Sequence, residues 1–110
     1  MPPIAKGKGR VSVYHPSSFG FAIQAPVIID NLEVGTSRGR GFFDTDQPAG
    51  TRQISIKTEW GHGNSINVIA GKPNFVGCSV TPGVLMAHIL PNQVDEATGE
   101  SEIQDCKLAE

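Results

Sequence analysis

The stretch VIIDNLEVG, Val27 to Gly35, decides how the rest of the chain is read. Val27, Ile28 and Ile29 are β-branched and suit a strand, where a branched Cβ packs well on a pleated surface. Asp30-Asn31 follows, a pair able to enter the left-handed backbone region that a tight two-residue hairpin demands. Leu32, Val34 and Gly35 then form a short return arm. An acid in a turn invites a catalytic or metal-binding reading, but with an apolar arm on each side Asp30 is better explained as hairpin geometry.

The same punctuation continues outward. Arg10 to Tyr14 alternates Val11 and Val13 with Ser12, the period-two signature of a half-buried strand, and Pro16 ends it. Phe19 to Pro26 reads as a loop. After the hairpin, Phe42-Phe43 marks a strand and TDQPAGT, 45–51, a turn. Arg52 to Trp60 is the clearest strand, with Ile54, Ile56, Thr58 and Trp60 on one face and Gln53, Ser55, Lys57 and Glu59 on the other. Ser65–Ala70, Phe75–Val80 and Val84–Leu90 are further strands, separated by GKPN (71–74) and by Pro82-Gly83. Beyond Pro91 the acidic NQVDEATGESE (92–102) predicts a solvated loop or one helical turn, and IQDCKLAE (103–110) a last strand. About eight short strands with turn chemistry every 8 to 12 residues predict a single-domain, antiparallel, all-β sandwich. Residues 1–9, with two prolines and a Lys-Gly-Lys-Gly run, read as a flexible arm before a domain spanning 10–109.

The 110 residues suffice for one core. Thirteen glycines and eight prolines are spread between apolar runs, as in an all-β chain. A net charge of -2 supplies no basic field for nucleic acid or anionic lipid. The longest uncharged stretch, 76–93, is broken by Pro82, Gly83 and Pro91, so no transmembrane helix is expected. The first ten residues contain no apolar signal core, and read literally they place the chain in the cytoplasm.

Catalytic and metal motifs are missing from the sequence. There is no Gly-x-Ser-x-Gly, no Walker loop and no His-Glu-x-x-His, and His15, His62 and His88 are scattered. No catalytic residue, metal or cofactor is expected. Asp44 and Asp46 share a strand face and carry calcium-binding or acid-base potential, but the Pro48 and Gly50 that follow favour an ordinary polar passage into a turn. Cys78 and Cys106 belong to no C-x-x-C pair. They are either small buried hydrophobes or a disulfide tying the last segment to a central strand, which would imply an oxidising compartment. Phe19, Phe21 and Trp60, beside turns, together with His62 between flexible glycines, are the binding candidates: gathered at one end of a sandwich they would grip a partner. The alternative is that each aromatic plugs an end of the core.

Taken in order, VSVYHPSSFG, VIIDNLEVG, GRGFFDTDQPAGTRQISIKTEW, INVIAGKPNFVGCSV and EIQDCKLA resemble a family of small bacterial envelope proteins and lipoproteins of unknown function. The resemblance runs from about Arg10 to Ala109, and the hairpin with its Pro-x-Gly turn is similar to the shorter PEGA module. It implies a β-sandwich in the periplasm or cell envelope, held at a membrane only through a lipid anchor on a leader that this sequence does not contain. It brings no catalytic residues. The expectation is a non-catalytic binding or accessory domain whose partner is an envelope component or another protein. A structural domain that self-associates through a strand edge is the alternative, and a small hydrolase the third reading.

Overall fold

The computed structural model describes residues 3–15, 25–37, 41–57, 62–81 and 88–108. Among these residues, nine strands and one helix follow in order: β1 Lys8–Tyr14, β2 Ala25–Ile29, β3 Leu32–Ser37, β4 Gly41–Pro48, β5 Gly50–Ile56, β6 His62–Val68, β7 Pro73–Thr81, β8 His88–Val94, α1 Glu96–Ile103 and β9 Lys107–Leu108. They build two sheets, one in the order β8-β7-β1-β4-β9 and the other β3-β2-β5-β6. The fold is an all-β sandwich, as the alternating runs predict.

The core lies between the sheets. Val11, Val13, Phe43, Val76 and Cys78 come from the five-stranded sheet, and Ala25, Val27, Ile29, Ile54, Ile56, Ile66 and Val68 from the four-stranded one. Each is at most 9% exposed. Burying one such aliphatic side chain contributes roughly 1.5–3 kcal/mol, and the period-two spacing lets alternate residues of a strand do so together. Most strand pairs are antiparallel, while β1 and β7 run parallel in the middle of their sheet, with Val13 beside Val76.

The quoted hairpin forms as expected. Asp30 and Asn31 sit at φ 49° and 69°, and Ile29 pairs with Leu32 across the turn. The register then slips: Ile28 faces Glu33 while Val27 faces Gly35, so Val34 is an extra residue in β3 and forms a bulge. A Cβ on Gly35 would stand 2.6 Å from the Phe43 ring, so glycine here admits the close approach of that ring.

Several boundaries differ from expectation. β1 opens at Lys8, where Gly9 is buried. TDQPAGT is largely strand, because β4 runs on to Pro48 and β5 starts at Gly50, which takes φ 115°. β8 passes straight through Pro91, which is buried opposite Cys78. Proline is tolerated there because β8 is an edge strand and needs no outward donor. The acidic tail makes a two-turn helix rather than a single turn, and the last strand shrinks to two residues beside Gly41 and Phe42.

That helix covers the outer face of the five-stranded sheet. Asp95 caps it by accepting from the Thr98 N–H at 2.7 Å, and Gly99 is its one buried residue, set against Phe75. Tyr14, on the same outer face, donates its hydroxyl to Glu102 and is 1% exposed. Burial first, and then the Glu102 carboxylate, push the Tyr14 phenol well above its ordinary value.

On the β6–β8 flank side-chain amides replace a backbone ladder. Gln93 of β8 accepts from the Asn67 N–H and donates to the Asn67 carbonyl, both at 2.8 Å. Asn64 donates to the Pro91 carbonyl at 3.2 Å. At the β6–β7 turn, Asn74 is 5% exposed. Its amide donates to the carbonyls of Lys72 at 3.0 Å and of Ile69 and Arg10 at 3.3 Å, and accepts from the Ile69 N–H at 3.0 Å.

Candidate functional site

The acidic residues that drew attention in the sequence are held by structural partners. Asp46 takes a bidentate pair from Arg10 across the β1–β4 ladder, at 2.8 and 3.0 Å, and Asp44 accepts from the Ser12 hydroxyl at 2.6 Å. The Arg10 hydrogen bond keeps the Asp46 carboxyl below its ordinary range. Asp30 accepts from the Gln53 N–H at 2.9 Å and pairs with Arg52 at 3.0 Å, and the backbone bond is the larger cause of its lowered pKa. The turn acid therefore ties the β2–β3 hairpin to β5. Among the described residues no three of His, Cys, Asp and Glu gather as a metal site.

No disulfide joins Cys78 and Cys106, which overturns that part of the expectation. The reason lies in strand alternation. Cys78 is on the core face of β7 with Val76, with the Ser37 hydroxyl of the opposite sheet beside it. Cys106 follows α1 on the helix-covered side, near the Tyr14 phenol. Cys78 is thus buried among core side chains, whereas Cys106 lies half-buried in the turn after α1. Burial pushes the Cys78 thiol up to about 12, which makes it an inert core residue.

Of the four binding candidates, Phe19, Phe21 and Trp60 lie outside the described residues. His62 opens β6 opposite Ile56. His15 had no role in the sequence reading beyond being scattered from the other histidines. Alternation along β1 carries its side chain inward, where it is 1% exposed and neither ring nitrogen has a hydrogen-bond partner among the described residues. Burial lowers its pKa from 6.5. A depressed base leaves the folded state unprotonated while the unfolded chain takes up a proton, so its contribution is complete above pH 6.5 and is lost as pH falls below it. Stability is expected to decline as pH falls below 6.5, with a slope of at most about 1.4 kcal/mol per pH unit. Urea denaturation of His15→Leu should show a flatter profile in that window, and an unchanged slope would refute the assignment.

The outer faces of the two sheets differ. One carries α1. On the four-stranded sheet, Thr51, Gln53 and Ser55 of β5 lie beside Asn67, Ser65 and Gly63 of β6, with Ile28 of β2 next to Ser55. Gln53 and Ser65 exchange hydrogen bonds at 2.9 and 3.3 Å. Where this face meets the hairpin, Ile28, Asp30, Asn31, Gln53, Ser55 and Gly63 line a groove of about 280 Å³. The alternation along β5 was visible in the sequence. That β6 would lay a matching polar row beside it, and that β2 would bring the hairpin turn to the same face, depends on long-range pairing that local pattern does not encode.

Comparison with family models, with curated proteins and with solved structures returns no match. By its fold and site the chain is an all-β sandwich with one helix-covered and one polar outer face.

Proposed function

We propose that the chain is a non-catalytic binding module of the cell envelope that uses the outer face of its four-stranded sheet. The carrying observation is the contrast between the faces. The helix seats Gly99 on Phe75 over one sheet, while the polar rows of β5 and β6 and the groove at the hairpin present hydrogen-bonding groups at the surface of the other. A scaffold with rigid strands and exposed amides and hydroxyls suits recognition, since the side chains are held in place before the partner arrives. The envelope placement is supported by the family resemblance. Self-association through β3 is the weaker reading, because the Val34 bulge and Glu33 disturb the edge that a second copy would have to pair with.

Photo-crosslinking in cell-envelope extract tests this. A benzoylphenylalanine probe at Ser65, on the polar face, is expected to capture a partner, and the same probe at Glu100, on the helix, is not. Equal capture from both positions, or capture of the chain's own copies alone, would overturn the reading.

A further inference from the structure

The last turn of α1 carries acid without base. A helix macrodipole leaves partial negative charge at the C-terminal end, where a Lys or Arg is ordinarily favoured. Here that turn holds Glu102 and no basic residue. The ion pairs among the described residues are Arg10–Asp46 and Arg52–Asp30, and neither sets a cation on Glu102. Its carboxylate is nevertheless held in place. Tyr14, buried beneath it, donates its hydroxyl to Oε1 at 2.5 Å, and among the described residues Oε2 has no partner.

The sheet opens a space at this carboxylate. Tyr14, Gly77 and Asn92 lie in one cross-strand row through β1, β7 and β8. Gly77 leaves the middle of the row low, and a Cβ there would stand 2.9 Å from the Tyr14 hydroxyl oxygen. Tyr14, Gly77, Ser79, Asn92, Val94 and Glu102 line the resulting groove of about 210 Å³. That is below the roughly 300–1,000 Å³ of sites for drug-sized molecules, so the occupant is small. The groups on the walls choose its chemistry. Glu102 only accepts, the exposed Ser79 hydroxyl accepts as well, and the Asn92 amide oxygen, which takes a long bond from Asn64 at 3.4 Å, keeps a second lone pair. Three acceptors around one carboxylate match the three donors of an ammonium. The Tyr14 ring and Val94 offer apolar surface to a short carbon stem, and an aromatic face also attracts a cation. We infer that the groove at the C-terminal end of α1 is a binding site for a small primary alkylammonium ion, its N–H groups on Glu102, Ser79 and Asn92 and its stem against Tyr14 and Val94.

This site belongs to the other sheet from the proposed binding face, and each stands or falls without the other. The test is an amide-resolved NMR titration of the full chain with n-butylammonium chloride in the millimolar range. Saturable shifts are expected at Gly77, Ser79, Asn92 and Glu102. n-Butanol, which lacks the charge, and tetramethylammonium chloride, which lacks the N–H donors, are expected to bind at least about tenfold more weakly. Glu102→Gln keeps a carbonyl for the Tyr14 hydroxyl and removes the charge, so affinity for butylammonium should fall by a similar factor with the helix still seated. The native spectrum and the thermal transition check the seating. The absence of saturable shifts, shifts located elsewhere, equal binding of either control compound, or undiminished binding by Glu102→Gln would overturn the site. If Glu102→Gln unseats the helix, Ser79→Ala decides: weakened binding supports the site and unchanged binding overturns it.

Discussion

Replacing Asn74 by leucine is expected to lower the free energy of unfolding by about 3 kcal/mol. The Asn74 amide serves the Ile69 N–H and the carbonyls of Ile69, Lys72 and Arg10, and leucine can satisfy none of them. A buried polar group without a partner costs on the order of 1–3 kcal/mol, and water can reach some of these four, so the total stays well below four full penalties. The substitution cannot be absorbed by movement, since Gly9 already approaches so closely that even a Cβ there would lie 2.8 Å from the Asn74 amide nitrogen. Urea denaturation should show a lower midpoint with an unchanged slope. Asn74→Asp, which keeps the acceptor for Ile69 and loses the donor, should fall between wild type and leucine. A loss under about 1 kcal/mol for leucine would mean that the turn is held by something else.

The second large effect is a reversal of sign. In an unpacked helix Gly99→Ala should stabilise, because alanine is favoured over glycine by about 1 kcal/mol. Here the added Cβ would stand 2.2 Å from Phe75 Cγ and 2.3 Å from its Cβ, atoms near the backbone that cannot swing aside. The helix must lift, breaking the Tyr14–Glu102 hydrogen bond, and a net loss of about 2 kcal/mol is expected. The thermal midpoint measures it, and the Tyr14 near-ultraviolet circular dichroism band reports whether the ring has lost its cover. A stabilised variant with an unchanged band would show that α1 does not rest on the sheet through Gly99.

These two positions also mark what local sequence pattern can and cannot convey. The strands around Val11, Val27, Ile54 and Val76 were legible because one face buried and one face wet leaves a period of two in the residues themselves. The Asp30-Asn31 turn was legible because few residue types accept its backbone angles. Asn74 looked like one more polar turn residue in GKPN, and nothing local reveals that four backbone groups converge on it. The helix was underestimated for a related reason: it is anchored by a glycine and a polar contact, so it leaves no apolar stripe to detect. The spacing of Cys78 and Cys106 left a disulfide and two separate thiols equally open, because distance along the chain says nothing about where the fold sets each sulfur. For the candidate site, the polar row of β5 was readable, whereas its meeting with Gly63 and the hairpin is a product of sheet order.

The amides along the β6–β8 flank have a bearing on solubility. A strand at the rim of a sheet normally offers unused N–H donors to any neighbour at high concentration, and that is how sheets template runaway polymerisation. In β6 the donor of Asn67 is taken by Gln93, and that of Ser65 by the side chain of Asn64 at 2.9 Å. A crowded compartment would therefore meet, along this rim, a strand with two of its donors, those of Ser65 and Asn67, already spent.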